Sequence, residues 1–251
     1  MAYFFKTEQL TVGYNDKPVV KNIKVTVKKG QILTLIGPNG SGKSTILKSI
    51  TKQLKPLGGV IYLDGNSLES ISKKAMSRQT AVVFTERPKA ELMTCEDVVA
   101  VGRYPYTGML GILSDNDKEQ INKALLMVNA LELKKQNFSE ISDGQLQRIM
   151  LARAICQEPE IIVLDEPTSF LDIRYAVEIL DILKNMAQNG VTVIMSLHEL
   201  NYAKRIADLV VCVKSGRVLN IDTPEIIFTK KVISNLYDLP DGTYEQLFGG
   251  L

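Results

Sequence analysis

Gly37-Pro38-Asn39-Gly40-Ser41-Gly42-Lys43-Ser44-Thr45 is the stretch from which the rest of the chain can be read. The apolar run Ile32-Leu33-Thr34-Leu35-Ile36 leads into it, and Thr45-Ile46-Leu47-Lys48-Ser49-Ile50 leaves it as a helix would. Strand, glycine loop, helix is the setting that the phosphate-binding pattern G-x-x-x-x-G-K-[ST] requires. Glycines let backbone N–H groups turn inward as a nest for phosphate oxygens, and the start of the next helix adds its partial positive charge. Lys43 is placed to neutralise the β- and γ-phosphates and the Ser44 hydroxyl to ligate Mg²⁺. These residues imply a nucleoside-triphosphate site.

Downstream, Glu160-Ile161-Ile162-Val163-Leu164-Asp165-Glu166 reads as a parallel strand buried on both faces, with two carboxylates at its C-terminal end. Ligands of open α/β sheets gather at that end. After a P-loop, an aspartate there suits Mg²⁺ and the adjacent Glu166 suits a general base that polarises the attacking water. Without the P-loop the same pair would read as two solvated acids. Ser142-Asp143-Gly144-Gln145 opens a helical pattern running to Cys156, and Ser142 with Gln145 three residues on is a capping box.

The flanks fill in an α/β chain. Phe4 to Val12 and Val19 to Val27 are predicted strands, with Asn15-Asp16-Lys17-Pro18 as their turn. Ile23, Val25 and Val27 alternate with lysines and a threonine, as in an antiparallel sheet with one wet face. Tyr14 at this turn has two readings, a platform for an adenine ring or a half-exposed turn tyrosine. Strands are also predicted at Val60–Leu63, Ala81–Phe84, Val191–Ser196 and in a hairpin from Leu209 to Ile221, with a helix from Ile173 to Gln188. Between about Ala90 and Cys156 the texture is helical. The tail beyond Pro224 is partly helical and carries no chemical pattern.

Composition narrows the class. A net charge of +2 on 251 residues, 23% of them charged, gives no reason to expect nucleic acid as a partner. Cys95, Cys156 and Cys212 are far apart and form no C-x-x-C pair, as buried thiols in a reducing compartment do. No apolar run approaches the roughly 18 residues of a membrane span, and Met1 to Leu10 has no signal-peptide core. A cytosolic chain that docks on a membrane protein fits these limits.

Ile141-Ser142-Asp143-Gly144-Gln145, between the P-loop and the Asp165-Glu166 strand, resembles the signature sequence of the ABC-transporter ATPases. Ser169-Phe170-Leu171-Asp172 resembles that family's D-loop and His198 its switch histidine, so the likeness runs in order from Tyr14 to Gly216. It implies a P-loop NTPase core with a parallel sheet (1–89 and 157–251), an N-terminal antiparallel β subdomain and an inserted α-helical subdomain (90–156). It also implies that two copies pair head to tail and sandwich ATP, with Mg²⁺, between the P-loop of one and the signature helix of the other. Gly37 to Thr45 would bind the phosphates, and Tyr14 would stack on adenine. Ser142, Gly144 and Gln145 would meet the γ-phosphate across the interface, and Glu166 and His198 would act in catalysis. Ser44, Asp165 and Glu86 would serve the metal and Asp172 the D-loop. Two positions depart from the family pattern. Asp143 replaces a glycine of the signature, and Glu86 stands where the family has a glutamine, offering a hard oxygen to Mg²⁺ but adding negative charge.

Gly102-Arg103-Tyr104-Pro105-Tyr106 resembles a stretch found in importers of iron-siderophore, haem and cobalamin complexes. The likeness implies a groove that receives a membrane permease, with Arg103, Tyr104 and Tyr106 at the coupling surface. It further implies an extracytoplasmic binding protein as an indirect partner and a place at the cytoplasmic face of the membrane. The alternative is a soluble ABC ATPase of the iron–sulfur assembly type, against which this loop counts. A GTPase switch would need Asn-Lys-x-Asp, and Asn122-Lys123-Ala124-Leu125 lacks the aspartate.

Overall fold

The computed structural model describes residues 3–84, 90–108, 111–169 and 171–248. In chain order the elements are β1 (Phe5–Tyr14), β2 (Lys17–Val27), β3 (Ile32–Ile36), α1 (Lys43–Ile50), β4 (Gly58–Leu63), β5 (Asn66–Ser67), α2 (Lys73–Gln79), β6 (Thr80–Val83), α3 (Cys95–Ala100) and α4 (Asp115–Met127). They continue with α5 (Asp143–Cys156), β7 (Ile161–Asp165), α6 (Ile173–Gln188), β8 (Thr192–Ser196), α7 (Leu200–Ile206), β9 (Leu209–Lys214), β10 (Arg217–Asp222), α8 (Pro224–Ile227), α9 (Lys230–Tyr237) and α10 (Thr243–Phe248). The chain folds as two compact units, one taking the residues up to Ser70 and from Thr192 onward, the other Ile71–Val191.

In the first unit the strands run in the order β5-β4-β1-β2-β10-β9-β3-β8. The β1–β2 hairpin is tighter than the predicted four-residue turn. Tyr14 pairs with Lys17, and Asn15 and Asp16 alone make the turn, both at positive φ (48° and 60°). That is the two-residue geometry whose twist matches antiparallel strands, and Asn and Asp tolerate it. Along β2, Ile23, Val25 and Val27 are buried while Lys24 and Thr26 are exposed, the predicted alternation. β3 is buried at all five positions between the parallel neighbours β8 and β9. Helix α1 packs on β1, β2 and β8, burying Ile46, Leu47 and Ile50.

In the second unit β7 pairs parallel with β6, and Ile161–Asp165 is buried throughout. Each fully buried Ile, Leu or Val there contributes roughly 1.5–3 kcal/mol, which is why an uninterrupted apolar run belongs at this place. Helices α3, α4 and α5 pack on one another around Val99, Ile121, Leu125 and Ile149. Each starts on a capping box, with Thr94, Ser114 and Ser142 as the N-cap residues. Helix α6 buries Ala176, Ile179, Leu180, Leu183 and Ala187, one face at helical spacing, and Asp172 caps it. Among the described residues no helix is long and apolar enough to cross a membrane.

Candidate functional site

The P-loop leaves β3 against β9. A Cβ on Gly37 would lie 2.0 Å from the Val213 carbonyl oxygen, and its φ of +147° is glycine territory, so no other residue starts the loop there. The loop ends at Gly42, the left-handed N-cap of α1 (φ 106°), which provides no side-chain cap; the first turn holds no acid. Helix starts left in that condition present their N–H groups and positive dipole end to an anion. Lys43 is 5% exposed, and its Nζ donates to the carbonyls of Gly37 (2.8 Å) and Pro38 (3.2 Å), which holds the ammonium over the loop.

Two further predicted residues belong to this unit. Leu35 pairs with Ser196, and the Leu197 N–H donates to the Leu35 carbonyl at 3.1 Å. His198 therefore leaves β8 at the same strand end from which the P-loop leaves β3. Tyr14 is 45% exposed at the tip of the hairpin whose Val19 and Val20 face Gly42. The structure adds a neighbour that carries no signature in the sequence. Burial pushes the Tyr237 phenol up to about 12, against a hydrogen bond from the Gly37 backbone. Tyr237 ends α9, and Lys214 at the end of β9 binds Asp238 at 2.6 Å and the Asn235 carbonyl. The C-terminal segment thus buttresses the first residue of the P-loop.

The second unit holds the carboxylates. Asp165 ends β7, 5% exposed. Glu166 follows with left-handed backbone (φ 52°), a conformation that costs a non-glycine residue on the order of 1 kcal/mol or more. It turns the chain sharply, and the Ser169 hydroxyl donates to Glu166 Oε2 at 3.3 Å. The signature residues lie beside this turn. Ser142 Oγ accepts from the Gln145 N–H at 3.3 Å, Gln145 Oε1 accepts from the Ser142 N–H at 2.9 Å, and Leu171 reaches to 3.5 Å from where a Gly144 Cβ would be. Asp172 Oδ1 accepts from the Tyr175 N–H at 3.1 Å as the cap of α6. Glu86 lies outside the described residues.

The Gly102–Tyr106 loop divides the three predicted coupling residues. Arg103 is 3% exposed and points inward: Nε donates to Asp117 Oδ1 (2.8 Å), and Nη1 to the Cys156 carbonyl and to Glu158 Oε2 (2.7 Å each). Burial opposes its charge, and Asp117 and Glu158 outweigh that and raise its pKa. Tyr106 lies under this guanidinium, 4.2 Å from ring centroid to Cζ, and its hydroxyl donates to the Gln157 carbonyl at 2.8 Å. Tyr104 alone is presented outward, 59% exposed, at a groove of about 540 Å³ shared with Lys73, Lys74, Ser77, Val101 and Pro105. Arg103 and Tyr106 are the frame that holds Tyr104 out.

A nucleotide-phosphate loop, a strand-end carboxylate pair and a capped signature helix on a mixed sheet define an ABC ATPase, and the chain belongs to the ABC transporter family, matching it over residues 20–169. It is an ATP-binding subunit whose ATPase activity is coupled to transport. It is 42% identical over 245 residues (97% of this chain, 84% of the relative) to an uncharacterised ABC transporter ATP-binding protein of Methanocaldococcus jannaschii. It is 34% identical over 234 residues (93% of this chain, 87% of the relative) to the iron(3+)-hydroxamate import ATP-binding protein FhuC of Bacillus subtilis. A solved dimeric ATP-binding cassette in a post-hydrolysis state, bound to ADP and Pi, overlays with a TM-score of 0.78 at 26% identity, covering 88% of this chain and 98% of that one.

Proposed function

We propose that the chain is the ATPase subunit of an importer of iron chelates of the siderophore, haem or cobalamin type. Two copies close head to tail on ATP, and the closure drives a membrane permease docked on the helical subdomain 90–156, which is inserted into an α/β core of 1–89 and 157–251. The observation that carries this reading is the Gly102–Tyr106 loop, which holds Tyr104 out over an open groove on a buried Arg103 frame. The relation to the iron-hydroxamate import protein supports the cargo class, and the solved dimeric cassette supports the pairing. The chain would then work at the cytoplasmic face of the membrane, with an extracytoplasmic binding protein delivering cargo to the permease.

In this reading Tyr14 stacks on adenine, and Gly37 to Thr45 cradle the phosphates with Lys43 as counter-charge. The oxygen donors Ser44 and Asp165 suit Mg²⁺, a hard cation that is held by few protein oxygens together with phosphates and water. The metal's contribution is to neutralise charge on the phosphate oxygens. Glu166 takes a proton from the attacking water, and His198 contacts the γ-phosphate. Ser142, Gly144 and Gln145 engage the ATP held by the other copy, and Asp172 follows in the D-loop. Both copies are needed for one complete site.

Glu166→Gln tests this. It should slow hydrolysis at least a hundredfold, within the range for removing a general base, while ATP binding persists, and an ATP-dependent dimer should accumulate on size exclusion. Wild-type turnover in this variant would remove Glu166 from the base role, and a monomer under ATP would remove the closure.

A further inference from the structure

The turn carrying Glu166 is held from three sides. Its left-handed backbone (φ 52°) is one that a non-glycine residue keeps only where its surroundings enforce it. The Ser169 N–H donates to the Glu166 carbonyl at 3.1 Å, and the Ser169 hydroxyl to its carboxylate at 3.3 Å. Both of these are internal to the turn. The third comes from twenty residues away: Gln147 Nε2, on α5, donates to the Pro167 carbonyl at 3.0 Å. A proline has no N–H, so this carbonyl is its only backbone hydrogen-bonding group. Pro167 itself is buried, and Thr168 after it is 3% exposed, so the turn is packed against its surroundings at the point where Gln147 grips it.

Helix α5 is tied at both ends. Beyond Gln147 it is anchored by Arg153 Nη2 on the Val82 carbonyl (2.9 Å), and the Gln157 amide just after it binds the Thr80 carbonyl (2.7 Å). Its first turn is locked by the Ser142–Gln145 box. We infer that Gln147 is a positioning residue for Glu166: its amide ties the helix that begins at Ser142 to the turn that aims the carboxylate. Engagement of the helix start by a phosphate then bears on the base of the same chain. This rests on the reading of Glu166 as general base.

Hydrolysis by the purified full chain with Mg²⁺ and ATP tests it through the split between kcat and KM. Gln147→Ala should lower kcat about five- to tenfold, the effect of one hydrogen bond lost at a catalytic position, with KM for ATP within about twofold. Gln147→Glu keeps the shape and replaces the donor by an acceptor; it should fall at least as far, and it carries the test if the alanine variant folds poorly. Because Gln147 acts through Glu166, adding Gln147→Ala to Glu166→Gln should cost nothing more in single-turnover hydrolysis. A Gln147→Glu enzyme at the wild-type rate, a raised KM with unchanged kcat, or a full multiplicative loss on the Glu166→Gln background each overturns the inference. If Glu166→Gln alone turns over normally, the general-base reading falls and this inference with it. If Glu166→Gln is slow and both Gln147 variants are normal, only the inference falls.

Discussion

Arg103→Ala should destabilise the chain by about 3–5 kcal/mol, the usual consequence of breaking one side of a buried ion pair. The magnitude comes mostly from Asp117, which is 6% exposed. Its Oδ2 accepts from the Ser114 hydroxyl (2.6 Å) and the Ser114 N–H (2.9 Å), and Oδ1 accepts from Arg103 (2.8 Å). Removing the guanidinium leaves half of a buried carboxylate without its charged partner and the Cys156 carbonyl without its donor. Glu158 adds little, because its side chain is 51% exposed and water screens the pair. Arg103→Lys should recover only part of the loss, since an ammonium has no planar fork to span Asp117 and the Cys156 carbonyl. The pH arm carries a sign. The Ser114 hydroxyl most of all, and Arg103 to a lesser degree, hold the Asp117 carboxyl below its ordinary value despite burial. Its stabilisation is therefore complete above the ordinary aspartate value of about 3.9 and is lost only as pH falls through the depressed one. Urea unfolding followed by circular dichroism should give the same Arg103→Ala penalty from about pH 5 to 7. A penalty under about 1 kcal/mol, or one that fades across that range, would refute the reasoning.

Tyr14→Ala should weaken ATP binding about tenfold, within the roughly 1–3 kcal/mol that stacking on a base is worth, while Tyr14→Phe retains it. Calorimetric titration reads both, and unchanged affinity in the alanine variant returns Tyr14 to a turn residue. Tyr104→Ala should leave the ATPase rate of the isolated chain within about twofold, as an exposed substitution does, and lower transport severalfold in vesicles holding the permease. Equal loss in both assays would argue against a coupling surface at Tyr104.

Local patterns carried the reading far along this chain. The run Ile161–Asp165 is a fully buried strand and Ile173–Gln188 a helix, each to within a residue of expectation, because burial on both faces or on one stripe writes its period into the sequence. The Ser142–Gln145 box formed as read. Contacts between distant residues were not legible. The sequence places Arg103 at a coupling surface, whereas its inward turn is decided by Asp117 and Glu158, fourteen and fifty-five positions on. Gly102 belongs to the same hidden contact: a Cβ there would come within 2.4 Å of the Arg153 carbonyl oxygen. Helix α7 leaves no mark in the sequence because it is only seven residues long and buries just Ala203 and Ile206, too few for a period to show. Tyr237 sits in a segment without chemical pattern, and only the fold brings it to Gly37.

The two helix starts of the proposed site differ in a way that bears on the order of events. At α1 the N-cap is Gly42, with no side-chain cap and no acid in the first turn. That start has an anion's place built into it and no group of its own to fill it. At α5 the Ser142 hydroxyl and the Gln145 amide satisfy two of the end groups, and Asp143 supplies a carboxylate to the first turn. Such a carboxylate stabilises a helix start by about 0.3–1 kcal/mol, and a phosphate arriving there must displace or tolerate it. In the proposed head-to-tail closure the unfilled start would be the primary phosphate site, and the self-satisfied one would engage second, against a phosphate held by the other copy. On that proposal Asp143 would lower the gain on closure at a helix start that has to let go after hydrolysis, which an uncharged glycine at that position would not do.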